Sequence, residues 1–424
     1  MTISSKTILF LLLLLFVLGW STQSLSLFDI GRYSFPLILF VGLPFTLLIT
    51  YRSLSFLVLP ITSSILAIAV GFLQGVEVSH ILSQAALQTQ AIAFAAGIAA
   101  INWHQHRKSL ERVIVMPGIP IVGYGCYQML ARMTHLPGAF LPVTNQQYYV
   151  EGGLQRDWDK AEVTRASSVF SEPSELGYYC LWLLVIGLST DSKKIRILSI
   201  SLAAVGILVS QSLSAVLGAV AICLAYFIVQ GISRRILRHI FLLAVVCAGV
   251  AMGFKSLAPA AFDRFSERIA EAASFDGRAD SGRIDHLPAC IELIKASPVW
   301  GYGLSGMAAA GRDGADVTTV NYIMVWLERG TLGALLFFLP WFTLAVRAWL
   351  LPYNAAGRTF SFLLLTMTLY SFTSFSITYF LPFWLALGVS ASLVLHTYVR
   401  TTTKSVLNRS HNPWSQNVPT GIAT

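Results

Sequence analysis

The sequence predicts an all-α, polytopic membrane protein, and three observations carry that prediction. Of 424 residues, 55% are hydrophobic and only 12% are charged, which is more apolar side chain than a soluble core of this size uses. The apolar residues gather in repeated runs of roughly 20, the length a helix needs to cross a hydrocarbon layer of about 30 Å. The basic residues fall in short connections between those runs and not on one folded face. A formal charge of +9 therefore reads as membrane topology and excludes a nucleic-acid-binding surface.

An unsatisfied backbone group in hydrocarbon costs several kcal/mol, so each crossing must be helical. Twelve spans are expected, at about 7–26, 33–50, 55–73, 85–102, 113–130, 173–190, 197–211, 213–230, 239–254, 321–350, 359–377 and 381–399. The first follows Lys6, and the GWSTQSLS after it is a poor small-x-small cleavage site, so a retained span is expected over a signal peptide. Residues 197–230 form one apolar stretch of 34 residues, which would be about 50 Å long as a helix. It must cross twice, turning near Ser210, Gln211, Ser212 and Ser214.

Lys and Arg in short loops stay cytoplasmic. HQHRKSLER, DSKKIR and SRRILRH share one side with Lys6, Arg52, Arg347, Arg358, Arg400, Lys404 and Arg409. That side holds 16 of the 29 basic residues but 2 of the 20 acidic ones, Glu111 and Asp191. Both termini are then cytoplasmic. Residues 1–400 read as a single transmembrane domain with two longer outer loops, about 131–172 and 255–320, and 401–424, rich in Ser, Thr, Asn and Pro, as a disordered tail. Phe262, Phe265, Ile269 and Ala273 recur at helical spacing beside Asp263, Arg264, Glu267 and Arg268, the pattern of an amphipathic helix lying at the interface. Leu287, Cys290, Ile291 and Ile294 repeat it. The five cysteines have neither disulfide nor zinc spacing. Trp103, Trp300, Trp326, Trp341, Trp349 and Trp384 lie mostly near span ends and read as an aromatic belt.

The span centres carry Ser, Thr, Gln and Gly but no charge, which argues against an ion-coupled transporter and for a site at the outer face. Three outer segments carry the signal. In TRASSVFSEPSELGYY, Arg165 precedes Glu172, Pro173, Glu175 and Gly177; a helix start explains the Pro and the carboxylates but not the Arg. In SGRIDHLPACIELIKASPVWGYGLSG, Arg283 precedes a helix that stops at Ser297 and Pro298, before Gly301 and Gly303; helix, stop and Gly-rich turn would account for that much. TTVNYIMVWLERGTLGALLFF sets Asn321 and Glu328 two helical turns apart on one face, and Gly330 and Gly333 could serve only close helix packing.

Together and in this order, the segments resemble the bacterial O-antigen ligase and O-antigen polymerase family. That pattern has an Arg before Gly-x-Phe-x-Glu-Pro, then Ser-Gly-Arg with a Ser-Pro-hydrophobic-Gly-x-Gly, then His-Asn ending in Glu-x-Gly-x-x-Gly. This chain keeps Phe170, Glu172 and Pro173, with Ser168 where Gly is common; Ser281, Gly282, Arg283, Ser297, Pro298, Gly301 and Gly303; and Asn321, Glu328, Gly330 and Gly333. Val320 stands where ligases usually carry His.

The resemblance implies a fold similar to membrane C-type glycosyltransferases in the bacterial inner membrane. The implied reaction is an inverting glycan transfer at the periplasmic face, from a polyprenyl-pyrophosphate-linked oligosaccharide to an acceptor glycan. It implies no nucleotide sugar, no cofactor and no metal, with a flippase and a chain-length regulator as partners. Arg165 and Arg283 are the candidates to grip the pyrophosphate, because a planar guanidinium binds phosphate oxygens in pairs and stabilises charge growing on the leaving group; an ion pair with Glu162 or Asp285 is the ordinary alternative. Glu172 and Asn321 join them as substrate-binding candidates. Val320 cannot take a proton, so either the chain is not a ligase of the His type or another group serves as base. His286, Glu328, Glu172 and Glu175 are the candidates, although Glu328 is more often a residue that bonds neighbouring helix backbone. This departure favours a repeat-unit polymerase over a ligase. A flippase for the same lipids is a third reading. Asp157-Trp158-Asp159 resembles a metal-binding Asp-x-Asp, but in an exposed acidic loop it reads as a solvated face. His80 and His135 have no ligand-spaced companion.

Overall fold

The computed structural model of the protein describes residues 5–21, 26–30, 33–134, 136–137, 166–170, 173–231, 245, 248–249, 251–257, 259–273, 287–304, 306, 321–352, 357–371 and 381–410. Its elements are α1 (Ser5–Ser21), β1 (Ser26–Ile30), β2 (Tyr33–Pro36), α2 (Leu37–Thr46), α3 (Tyr51–Ser55), α4 (Val58–Leu73), α5 (Val78–Ala100), α6 (Trp103–Thr134) and α7 (Pro173–Ser189). Then follow α8 (Lys193–Ser210), α9 (Leu213–Gln230), α10 (Pro259–Ala273), α11 (Leu287–Ala296), α12 (Asn321–Leu350), α13 (Arg358–Ser371) and α14 (Leu381–Ser410).

Two helices form the centre. Every side chain of α7 from Glu175 to Leu188 is buried, as a helix apolar on all sides requires, and α6, α8, α9 and α13 pack around it. The first half of α14, Leu381 to Val394, is buried in the same way, among α2, α5, α6, α12 and α13. Close approach is set by small residues: Gly187 meets Ile200, Gly206 meets Cys180, Gly177 meets Ala215 and Gly218 meets Leu181. Read in order, these pairs show that α8 runs back along α7 and that α9 returns in the direction of α7. The reversal falls where the polar residues predicted it. Gln211 adopts a left-handed φ of 47° after α8, and the Ser212 hydroxyl accepts from Ala215 N at 3.4 Å to start α9.

Several expectations need correction. Four helices among the described residues are long and apolar enough to cross a membrane, Val78–Ala100, Trp103–Thr134, Leu213–Gln230 and Tyr322–Leu350, so the count of twelve is matched only in part. Residues 33–36, expected to open the second span, pair antiparallel with 26–30 in a small hairpin, while every other described element is a helix. The basic stretch HQHRKSLER is not a loop. α6 runs through it for 32 residues, about 48 Å, and its ionisable groups find partners one turn apart, as with Arg107 Nε and Glu111 Oε1 at 2.8 Å. Trp103, Trp341 and Trp384 are fully buried and do not belong to a belt; Trp341 stacks on Phe383 with centroids 5.8 Å apart. Helical backbone also continues to Ser410, ten residues into the expected tail. Most of the expected span 239–254 lies outside the described residues.

His104, Arg107 and Arg358 lie together at one end of the bundle. There Glu111 accepts from Arg107 and from Thr190 Oγ1 at 2.9 Å, and His104 Nε2 lies 2.9 Å from Thr397 Oγ1. Arg107 also lies over the Phe360 ring at 5.1 Å, and Arg358 over Trp349 at 5.6 Å. These contacts join the start of α6, the α7–α8 connection, the end of α12, the start of α13 and the end of the buried part of α14.

Candidate functional site

The described parts of all three motif segments lie at the opposite end. In the first, the backbone before α7 is held in an irregular path. Ala166 N donates to Val209 O at 2.9 Å, at the end of α8, and the amides of Ser167 and Ser168 both donate to Gln128 Oε1, at 3.0 and 2.8 Å. Ser168 has φ 56° and its hydroxyl donates to Ile121 O. The left-handed φ explains why the family pattern carries Gly at that position: serine is tolerated here because its side chain finds a buried acceptor. Phe170 is buried with its ring 5.7 Å from Tyr179, and Glu175 is buried in the first turn of α7. Arg165 and Glu172 lie outside the described residues.

The second and third segments form one unit. α12 is not continuous, because Gly330 takes φ 62° and ψ −176°, a conformation essentially restricted to glycine. The break frees backbone groups, and the Ser-Pro-Val-Trp-Gly-Tyr-Gly turn after α11 satisfies them. Tyr302 N donates to Leu327 O and Gly303 N to Glu328 O, each at 2.8 Å, while Thr331 N donates to Pro298 O at 2.8 Å. On its other side the turn is bound to α4 through Leu304 N and Ala67 O at 2.9 Å. Backbone at this depth needs such internal partners. The approach is so close that a Cβ on Gly301 would lie 2.4 Å from Gly330 N, and one on Gly303 would lie 2.1 Å from Gly71 N. A small apolar cluster centred on buried Cys290 and Leu327, with Leu293, Ile294, Tyr302, Ile323 and Met324, fixes α11 to the first half of α12.

The unit is tied to the first segment through α13 and α9. Tyr322 Oη donates to Leu369 O, and the neighbouring Tyr370 Oη donates to Ser214 O at 2.5 Å. Ser214 Oγ lies 2.8 Å from Ser212 Oγ, and Gly177 of α7 packs against Ser212 and Ala215. The starts of α7, α9 and α12 therefore lie at one end of the bundle.

Of the candidate residues singled out from sequence, the structure places three here, Glu175 in the first turn of α7 and two on α12. Asn321 opens α12, and Glu328 is half-buried beside the break, its carbonyl serving the glycine turn. Arg283 and His286 lie outside the described residues, immediately before α11. Among the described residues, no three His, Cys, Asp or Glu side chains gather where they could share a metal ion. Sequence reasoning missed Gln128, whose amide oxygen organises the first segment, and Arg329, a buried guanidinium inside the third motif. Both were visible as polar residues within apolar runs. Neither stands at a position that the family pattern marks.

Residues 198–338 match the family model for O-antigen ligase. The match supports the O-antigen ligase and polymerase family and spans nearly all of α8 through the first part of α12. It takes in the second and third motifs and leaves out the first, so the segment 165–177 adds an observation independent of it. No curated protein and no solved structure gives a match.

Proposed function

We propose that the protein is a membrane glycosyltransferase of the O-antigen ligase and polymerase family that polymerises polyprenyl-pyrophosphate-linked oligosaccharide units at the periplasmic face. The observation that carries this reading is the anchoring of all three motif segments at the bundle end opposite the basic one. By the distribution of Lys and Arg, the motif end faces the periplasm, where a lipid-linked donor is available and nucleotide sugars are not.

Arg165 and Arg283 hold the diphosphate. Each stands directly before an anchored segment, Arg165 before Ala166 and Arg283 before α11. An acceptor hydroxyl attacks the anomeric carbon, its proton passes to a carboxylate or imidazole, and the bond from that carbon to the diphosphate oxygen breaks with inversion. The guanidinium groups take up the charge that develops on the departing diphosphate. Glu328, Glu172, Glu175 and His286 are the groups that can accept the proton, in the place of the histidine that Val320 replaces; Asn321 contributes to substrate binding.

Purified protein in liposomes, supplied with carrier-linked repeat units, tests the assignment. Arg165→Ala and Arg283→Ala should each lower polymer formation by on the order of 100-fold, the usual loss when one donor to a developing anion is removed. Polymer of normal length and yield from both variants would overturn it. The family model's description as O-antigen ligase favours a second reading, transfer of finished glycan to a lipid core; product on that core, with no ladder on the carrier, would establish it.

A further inference from the structure

Arg329 is only 2% exposed, although it lies within the apolar helix Tyr322–Leu350. A charge in such a place needs compensating dipoles, and the fold supplies three kinds. The guanidinium sits over the Phe337 ring at 4.5 Å. It closes the first half of α12, where a cation meets the negative end of the helix dipole. Its Nη1 donates to Ser63 Oγ at 2.9 Å and to Ser64 Oγ at 3.3 Å on α4.

The Ser63 hydroxyl passes the contact on. It donates its own proton to Gly333 O at 2.7 Å, on the far side of the break at Gly330. One serine of α4 thus binds both halves of the interrupted helix. Gly333 leaves room for the arrangement, since a Cβ there would lie 2.7 Å from Arg329 Cβ. Ser63, Ala67 and Gly71 follow at intervals of four on one face of α4, and they meet, in turn, Arg329 with Gly333, Leu304, and the glycine turn at Gly303.

We propose that Arg329 is a positioning residue of the transferase site, pinning the break in α12 to α4 through Ser63 and so fixing Glu328 and the glycine turn at the site end. The proposal rests on the functional reading above. At 2% exposure the guanidinium is too enclosed to touch a diphosphate, so it acts through its neighbours. Displacement of a positioned group by about 1 Å lowers rates by up to about 100-fold.

The test compares Arg329→Met, Arg329→Lys, Ser63→Ala and Ser63→Thr in liposomes with a carrier-linked repeat unit as donor. Met and Ala should lower turnover by about 10- to 100-fold while leaving the donor KM nearly unchanged. Lys and Thr, which keep a donor and a hydroxyl, should recover most of the turnover. Hydrogen exchange at the amides of Tyr302 and Gly303 should accelerate in Arg329→Met and Ser63→Ala and stay slow in α7. Wild-type turnover, a rise in KM alone, or unchanged exchange would each overturn the proposal. Should Arg329→Met not accumulate, the Ser63 pair decides it. If the wild-type protein transfers no glycan, the functional reading fails, and the exchange result still decides whether the clasp exists.

Discussion

Replacing Gly303 by Ala is the sharpest probe of the docked glycine turn, because Gly75 provides a matched control. Both glycines have left-handed φ, 81° and 74°, so alanine brings the same backbone penalty of about 1–2 kcal/mol at either. Their surroundings differ completely. A Cβ on Gly75 meets nothing within 4 Å, whereas one on Gly303 would lie 2.1 Å from Gly71 N and 2.3 Å from its Cα. Backbone cannot swing aside as a side chain does, so the turn must lift off α4 by more than 1 Å, about the shortfall from ordinary van der Waals contact. The hydrogen bond from Leu304 N to Ala67 O then breaks, and the turn is pressed toward α12, to which Tyr302 N and Gly303 N donate. At about 1–3 kcal/mol for the buried group left unsatisfied and about 1–3 kcal/mol for the overpacking, Gly303→Ala should cost at least about 3 kcal/mol in all and Gly75→Ala about 1–2 kcal/mol. Fluorescent fusions of both, heated stepwise in detergent and passed over gel filtration, give the comparison. Gly75→Ala should keep a monodisperse peak close to the wild-type midpoint, and Gly303→Ala should lose it at far lower temperature or fail to accumulate. Equal loss in the two variants would refute the close docking of the turn on α4.

At the basic end, Glu111→Ala should destabilise by about 1–3 kcal/mol, because Arg107 loses its charged partner but keeps Ser189 O and the Phe360 ring; Arg107→Ala with Glu111→Ala should cost less than the sum of the two singles in a denaturant titration. Gly206→Ala places a methyl group 2.2 Å from Cys180 Sγ and should cost about 1–3 kcal/mol of overpacking. Adding Cys180→Ala should return most of that in the same titration, and no recovery would contradict the α7–α8 packing. A phosphatase reporter inserted between residues 138 and 164 should be active, and one at Asp191 inactive; the reverse pattern would place the motif end in the cytoplasm and defeat the proposed reaction.

The helix pattern was legible wherever it rested on period and length. The reversal near Gln211 followed from a stretch too long for one crossing, and α9 and α12 were placed at their observed limits. The sequence misled where polar residues sit inside helices. HQHRKSLER has the composition of a loop, yet Arg107 and Glu111 satisfy each other one turn apart and helix continues through them. Trp103 suits an interfacial belt by position, but its indole N–H finds Ile98 O at 2.8 Å inside the core; no one-dimensional pattern records that partner. At the site, the motif glycines were legible as a turn. Their docking partners, Gly71 on α4 and the break at Gly330, are distant in sequence and became visible only in three dimensions.

Among the described residues, the two non-glycine positions with left-handed φ, Ser168 and Gln211, both belong to the motif end. So do Gly75, Gly301, Gly303 and Gly330, whereas the other two positive-φ glycines, Gly231 after α9 and Gly357 before α13, lie at the basic end. At the two non-glycine positions such backbone costs on the order of 1–3 kcal/mol and persists only where neighbours over-determine it. Gln128 does this for Ser168 with one amide oxygen taking two N–H groups, and the Ser297–Leu304 turn does it for Gly330 with a short ladder of backbone bonds. A bundle serving only to fill a membrane would have no reason to keep this non-glycine strain at one end. The proposed site, with two guanidinium groups and a proton acceptor around a diphosphate, has one, because irregular backbone, once locked, presents groups that a regular helix surface cannot bring together.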